Sequence, residues 1–296
     1  MAKKPITKRK ISAKSTKSKA KKPPYYITQS LMKSVLDLRE NKECGLVFKA
    51  KFLENKWDLF HASDAQSVGT WFEYELTGAM PKNGKIPQPK RTQKGELTSD
   101  YKKIQPHIEH FKRTQAYYQF EIVEIGTDWI IDDLKGTIDL LCLAKIDIVI
   151  DGVKIVKAGQ KFILDLKTTG LLDDKWNDYG WELNNLGNKV KLITQPIHYK
   201  YIAKKKYGED MPFLFFLFST SNPHDFRIIN FEVDEQAYLE HITFINTTKA
   251  WMAYYLKNGF EPKPSPAKCE KCPLKVGCKF FAAVPKIETF HYGGTI

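Results

Sequence analysis

The chain contains no run of 18 apolar residues, and its longest apolar stretch, Phe213 to Phe218, is only the length of a strand. A transmembrane helix is therefore not expected. Cysteine is scarce: there are five in 296 residues, and three of them cluster near the C-terminus. That is not the pattern of a secreted disulfide framework, and it points to a reducing cytosol. The N-terminus is basic but has no apolar segment behind its charges, so it does not read as a secretory signal. No G-x-x-x-x-G-K-S/T stretch occurs, which excludes a P-loop motor. Internal repeats are absent as well.

Acidic residues are missing from residues 1–24, which hold ten of the 47 Lys and Arg. The formal net charge is +13, and without this tail it is +3, so the rest of the chain is only mildly basic. A Lys/Ser/Thr/Pro-rich segment of one charge sign cannot bury enough apolar surface to fold, and it is expected to be disordered. A non-specific phosphate-binding arm, a solubilising tail and a localisation signal all fit it.

Beyond the tail the pattern shifts between helix and strand periods. Leu31, Val35 and Leu38 predict a short helix over Ser30 to Leu38. A second helix is predicted from near Asp64 through Gly78, capped by Ser63 or Asp64. Residues 81–99, rich in Pro, Gly, Lys and Gln, read as a mobile loop. Ile104 to Tyr118 reads as helical. Strand-like segments follow at Phe120 to Ile125, Trp129 to Ile131 and Thr137 to Ile150, and Asp151-Gly152 marks a hairpin into Val153 to Val156. Residues 171–188 form a polar, Trp-bearing segment. A helix is predicted over Thr194 to Tyr207, and a central strand over Phe213 to Ser219 with Phe226 to Val233 beside it. A long helix over Asp234 to Asn258 is stopped by Gly259.

The chemistry concentrates in Asp165-Leu166-Lys167, which lies inside an apolar strand-like run from Lys161 to Thr169. A buried carboxylate and ammonium are costly unless each has a partner or a task. Strand alternation puts Asp165 and Lys167 on one face and Leu166 on the other. A second acid, Asp139, sits in a similar strand. Two acids and a lysine on adjacent strands can hold a divalent cation and activate water, although a buried ion-pair network would use the same residues. His107 and His110 share a helix face, but without a third ligand they read as packing residues. His198 is expected at the surface or facing nucleic acid.

Four stretches in order, Gly69-Thr70-Trp71-Phe72-Glu73, Gly136-Thr137-Ile138-Asp139, Asp165-Leu166-Lys167 and Gln195-Pro196-Ile197-His198-Tyr199, resemble the motifs of the PD-(D/E)XK nuclease superfamily, RecB-like branch. The resemblance covers about residues 30–200. It implies an α/β fold with a restriction-endonuclease-like core, in which helices flank a mixed central sheet. It also implies that Asp139 and Asp165, with the Leu166 carbonyl, ligate Mg²⁺ or Mn²⁺, metals that prefer hard oxygen donors. Glu73 would complete the site directly or through water. Glu75, two residues on, should point elsewhere. Lys167 would orient or deprotonate the attacking water, or stabilise the transition state. Gln195 and Tyr199, at i and i+4, would line the active site. Pro196 is tolerable only in the first turn of that helix or at a kink.

Cys269-x2-Cys272-x5-Cys278 has metal-ligand spacing in a segment with little core of its own. A fourth ligand is needed. Cys142 sits in an apolar strand, where a buried thiol is ordinary, so Cys44 is the choice. One upstream cysteine and three downstream resemble the AddB nuclease domain and CRISPR-adaptation exonucleases. That likeness implies a 4Fe–4S cluster tying the two ends of the chain together. Four thiolates also suit Zn²⁺.

These readings combine into a disordered tail (1–24), a nuclease domain (25–260) and a cysteine-ligated cap (261–296) packed on the N-terminal helices. The expected activity is metal-dependent cleavage of DNA, as an exonuclease on single strands or duplex ends, in recombination, repair or end processing. A phage or other mobile element is one possible setting, in which case the host cytoplasm would be its place. Any unwinding would come from a helicase or recombination partner, and no membrane is involved. The alternative is a non-catalytic nucleic-acid-binding protein that keeps the fold as a scaffold.

Overall fold

Alternating hydrophobicity in the middle of the chain becomes a five-stranded mixed sheet. The computed structural model describes residues 25–281 except 61, 82–83, 171 and 173–185. The basic tail, most of the Trp-bearing segment and the last fifteen residues of the cap lie outside the described residues. The order along the chain begins with helices α1 (Gln29–Arg39), α2 (Gly45–Phe52), α3 (Asp64–Thr77), α4 (Ser99–Ile104) and α5 (Pro106–Tyr118). Strands β1 (Phe120–Ile131), β2 (Leu134–Ala144), β3 (Ile148–Ile150), β4 (Val153–Val156) and β5 (Lys161–Thr169) follow. Helix α6 (Leu186–Tyr207), strands β6 (Phe213–Ser219) and β7 (Phe226–Asn230), and helices α7 (Glu235–Asn258) and α8 (Pro266–Glu270) complete it.

The main sheet runs β1-β2-β5-β6-β7. Its β5–β6 pair is parallel and its other pairs are antiparallel. A parallel pair needs a crossover, and α6 lies in that connection. Strand alternation divides the sheet's side chains between two cores. Leu141, Ile163, Phe213, Phe215 and Leu217 pack with residues of α1, α6 and α7. Leu140, Phe162, Leu164, Leu166, Phe216 and Phe218 pack with residues of α3, α4 and α5. The result is the three-layer, restriction-endonuclease-like architecture that the motif order implied.

Local chemistry sets the helix ends. Ser63 and Gln66 form a capping box at the start of α3, and Gly78 ends that helix with φ of 71°. Asp234 caps α7 through the Ala237 amide at 2.7 Å. The Asp151-Gly152 turn carries φ of 51° and 78°, as a tight hairpin between β3 and β4 requires.

Several expectations change. Strand β1 is continuous from Phe120 to Ile131 where two segments were expected, with its register shift between Ile122 and Glu124 and with Gly126, at φ of 57°, inside the paired stretch. Residues 81–99 are less open than composition implied: where described, they close a turn with the Arg91–Leu97 bridge. Lys90 of that loop bonds Asp64 at the start of α3. Helix α6 begins at Leu186 rather than Thr194, which leaves Pro196 in its interior instead of its first turn. Leu186, Val190, Ile193 and Ile197 carry the helical spacing of this earlier start, and Pro196 forgoes one helical hydrogen bond. Short α2 was not expected.

His198 is a correction of a different kind. It is fully buried, with its Nδ1 3.2 Å from His241 Nε2 and its Nε2 3.1 Å from the Lys135 carbonyl oxygen. An α6 covered on one side only would leave His198 outside, whereas α1, α7 and the sheet all contact this helix. Burial lowers the pKa of His198 to about 4. Burial, and then the charge of His198, lowers that of His241 to about 3.

Both rings fold as neutral imidazoles, so their contribution to stability is complete above the unfolded pKa near 6.5 and is lost as pH falls toward the folded value. Buried carboxylates with raised pKa act in the opposite direction, and a variant cancels them. We predict that wild-type protein loses about 2 kcal/mol relative to His241→Phe between pH 6.5 and pH 5. Urea denaturation at the two pH values measures this, and parallel stability profiles would contradict it.

Candidate active site

Strands β2 and β5 pair as far as Leu140 and Leu164. One residue further, Asp139 and Asp165 stand opposite each other, where the pairing has ended. The Leu166 amide donates there to Asp139 Oδ2 at 3.3 Å. Lys167 forms an ion pair with Asp165, lies 3.9 Å from Asp139 Oδ2, and reaches the Leu166 carbonyl at 3.5 Å. Gln195 Nε2 donates to Asp165 Oδ1 at 2.6 Å and the Gln195 side chain also bonds Tyr199. Glu73 comes from α3 on the other side of the sheet, while Glu75 is exposed and turned away. Glu73, Asp139, Leu166 and Lys167 line one cleft of about 370 Å³, together with Gly69, Thr70 and Thr168. A larger hollow of about 420 Å³ lies between α1 and α7. The clustered charges lie in the smaller one.

Two glycines make this geometry possible. A Cβ on Gly69 would come within 3.3 Å of Thr168 Oγ1, so glycine lets α3 lie close on β5 and delivers Glu73 to the cleft. A Cβ on Gly136 would come within 3.0 Å of the Tyr199 ring, so glycine lets α6 seat against β2. Thr168 and Thr70 were not singled out from sequence, and an isolated threonine carries no signal.

The charges do not balance. Three carboxylates and one ammonium share a site largely out of water, and the Asp165 side chain is 1% exposed. Burial, and then the Asp139 charge, raises Asp165 to about 8. The same two causes raise Glu73 to about 7, against a smaller opposing effect of Lys167. For Lys167, burial acts to lower the pKa, but the charges of Asp165, Asp139 and Glu73 outweigh it and the net shift is upward. Asp165 Oδ2 is buried and, apart from its ion pair with Lys167, has no hydrogen-bond partner. Oxygen donors with surplus negative charge fit a hard divalent cation. Among the described residues no three acidic, His or Cys side chains are drawn to metal-holding distance. Asp165 is turned onto Lys167 and Gln195, and Asp139 onto the Leu166 amide.

The cysteines form a second grouping. Cys44 precedes α2, and its Sγ accepts from the Lys263 amide at 3.4 Å. The Gly45 amide donates to the Glu261 carbonyl at 3.1 Å, and a Cβ on Gly45 would lie 2.4 Å from that oxygen. Lys268 bonds the Lys42 carbonyl. Turns then carry Cys269, Cys272 and Cys278 around one another, through Cys272 to Cys269 and Cys278 to Lys275 backbone bonds. Burial raises the Cys272 pKa, followed by the charges of Cys269, Cys44 and Cys278. Cys44, Cys269 and Cys278 thus lie near enough to Cys272 for their charges to act on its thiol, while among the described residues no three of these thiols are drawn to metal-holding distance. Cys142 is apart from them, fully buried in β2. Four soft donors that repel one another as thiolates fit a thiophilic metal or cluster.

The mixed sheet flanked by helices, with acids and a lysine gathered where the β2–β5 pairing ends, has a PD-(D/E)XK-type fold. The chain belongs to the family described as "PDDEXK-like domain of unknown function (DUF3799)", whose model matches residues 29–275. No curated protein matches the sequence. Among solved structures, a protein from Eubacterium rectale described as a "putative exonuclease" superposes with a TM-score of 0.55. It is 20% identical, and the match covers 91% of each chain. That likeness is one of fold.

Asp165→Asn keeps the acceptor for Gln195 and removes the charge. A carboxylate whose folded pKa lies above its unfolded value costs stability progressively as pH rises between the two. Without divalent ions, Asp165→Asn is therefore predicted to melt above wild type at pH 8, with the gap closing toward pH 4. The slope should be on the order of 1 kcal/mol per pH unit. A variant less stable than wild type at pH 8 would refute the repulsion.

Proposed function

We propose that this protein is a metal-dependent DNA nuclease, acting as an exonuclease on single strands or duplex ends. The observation that carries this reading is the convergence of Glu73, Asp139 and Lys167 on one cleft, with Asp165 buried behind it in an ion pair with Lys167 and the acids outnumbering the lysine. Membership in a PDDEXK-like family supports it, as does a fold shared with a protein described as an exonuclease. The Gln195–Tyr199 pair, bonded to Asp165 from α6, supports a RecB-like affiliation. The fold-as-scaffold alternative has no particular residue in its favour.

Asp139, Asp165 and the Leu166 carbonyl would hold Mg²⁺ or Mn²⁺, with Glu73 direct or through water. Such an ion supplies positive charge to the phosphate and acidifies water. The chain's own residues do the rest. Lys167 points its N–H groups at the carboxylates, where a water or a phosphate oxygen would take their place, and so orients the nucleophile or offsets developing charge. Gln195 fixes the rotamer of Asp165. Tyr199, packed on Gly136, closes the site from below.

The cap (261–296) would be clasped to the N-terminal helices of the 25–260 domain by Cys44, Cys269, Cys272 and Cys278. A 4Fe–4S cluster is our choice for that site, with Zn²⁺ as the alternative. The tail of ten positive charges would lend non-specific affinity for DNA. Unwinding, if the substrate is duplex, would come from a helicase or recombination partner. Recombination, repair or end processing in a cytoplasm, the host's if the chain is phage-encoded, is the role we assign it.

Purified protein with Mg²⁺ or Mn²⁺ should degrade end-labelled linear DNA, spare circular DNA and stop in EDTA. Lys167→Ala should lower the rate at least about a hundredfold while retaining DNA binding. Lys167→Ala protein that cuts at the wild-type rate would refute the assignment. In the clasp, Cys44→Ser and Gly45→Ala are both expected to lose bound metal, and Cys142→Ser to keep it. Elemental analysis of anaerobically purified protein reads iron against zinc. Full metal content in Cys44→Ser would remove Cys44 from the site.

A further inference from the structure

Strands β5 and β6 run parallel, so both end at the same edge of the sheet. In open α/β sheets that edge is where ligands gather. Thr168 of β5 already lines the cleft. Thr169 pairs with Ser219 at the end of β6, and the chain leaving β6 stays beside β5: the Thr220 amide donates to the Thr169 carbonyl at 2.9 Å and Ser221 Oγ to the Gly170 carbonyl at 2.6 Å. Ser219 Oγ accepts from the Asn222 amide at 3.0 Å, and Asn222 Oδ1 accepts from the His224 amide at 3.1 Å. These bonds fix where the chain carries His224.

Helix α5 meets the same loop. His107 is fully buried, with its Nε2 3.0 Å from the Ser219 carbonyl oxygen and its Nδ1 3.1 Å from His110 Nδ1. His110 and Arg113 are three residues apart and share a face of α5. Arg113 and His224 are exposed, and His110 is half-buried between them and His107. Burial, then Arg113, then His224, all push the His110 pKa below the ordinary imidazole value. Of the acids nearby, Glu109 pairs with Lys112 at 2.8 Å and also interacts with Arg113, and Asp225 acts on His107. Three nitrogen-bearing groups thus gather at the end of β6, where a phosphate oxygen would accept their hydrogen bonds.

We propose that His110, Arg113 and His224 form a phosphate-binding subsite for the nucleic-acid strand whose reacting phosphate lies at the Asp165–Lys167 cleft. The proposal rests on the nuclease reading above and extends it along the substrate. At about 3.3 Å per residue and about 4.8 Å between strands, Ser219 lies roughly 8 Å from Lys167. The subsite then sits about 15 Å from the cleft. With a rise of about 3.4 Å per nucleotide in a duplex strand, that corresponds to about four nucleotides, and fewer in an extended single strand. The ligand is a phosphodiester of the bound strand. A terminal phosphate on a short substrate has the same chemistry and is separated from it by the test.

Full-length wild type and the Arg113→Gln/His224→Gln double variant would be compared in two assays. The first is binding of single-stranded oligonucleotides in EDTA as a function of salt. The oligonucleotides carry one neutral methylphosphonate linkage at successive positions, and each is made with and without a terminal phosphate. The second is cleavage with Mg²⁺. Both substituted residues are exposed, and a matching melting temperature confirms the fold. The expected result is a salt slope shallower by about 0.7 for each phosphate that the variant no longer neutralises. KM should rise about three- to tenfold with kcat retained, because the interaction is equally strong in ground and transition states. One neutral linkage, two to four nucleotides from the cut, should weaken wild type and leave the double variant unaffected. A penalty tied only to removal of the terminal phosphate would assign the subsite to the strand end and overturn the internal placement. Unchanged slope, KM and linkage profile, with wild type still binding and cutting, would overturn the subsite alone. Wild type that neither binds nor cuts DNA would overturn the nuclease reading and the subsite with it.

Discussion

A carboxylate in the interior of a sheet is the constraint around which this protein is arranged. Asp165 sits where a strand between two helical layers would normally carry an aliphatic residue. Desolvating its charge costs several kcal/mol unless other groups answer it. Lys167 answers with an ion pair and Gln195 with a hydrogen bond. Asp139, across the opening between β2 and β5, makes the cost larger, and Glu73 adds a third acid. An arrangement selected only for stability would replace these residues with apolar ones. Their presence together is the physical signature of a site that accepts positive charge from elsewhere.

The layers exist to deliver those groups. Each contributes from a different element: Asp139 from β2, Asp165 and Lys167 from β5, Glu73 from α3, and Gln195 and Tyr199 from α6. Side-chain reach is short, so the elements themselves must come close. Glycine supplies that closeness at Gly69, where α3 crosses β5, and at Gly136, where Tyr199 packs on β2. Gly45 serves the clasp in the same way, because only a bare backbone fits against the Glu261 carbonyl. The four cysteines span most of the chain, so a metal shared among them, as proposed, would tie its two ends together.

The ends of the parallel strands give the site a direction. The cleft opens beside the last residues of β5, and the loop after β6 extends the same edge toward α5. The opposite end of β5 is different in character: there Lys161 and Lys206 lie over aromatic rings of Tyr207 and Trp129. Lysines stacked on rings at a helix C-terminus also offset the helix dipole, so their charge has a structural use.

The sequence by itself determined the alternation that puts Asp165 and Lys167 on one face, the hairpin at Asp151-Gly152, the caps of α3 and α7 and the thiol spacing of the C-terminal triplet, because each is a local rule read over a few residues. Asp165 and Lys167 share a face because a strand repeats every two residues, and Gln195 and Tyr199 because a helix brings i and i+4 together. Only the tertiary structure decided what depends on contacts between distant segments. It buried His198 against His241, extended α6 through Pro196, and set Cys44 beside Cys269, Cys272 and Cys278. It also brought His110 and Arg113 to the end of β6. Sequence periodicity tells which way a side chain faces, but not whether a second layer will cover that face. That is settled by packing, whose free energy comes from apolar surface on elements far apart in the chain.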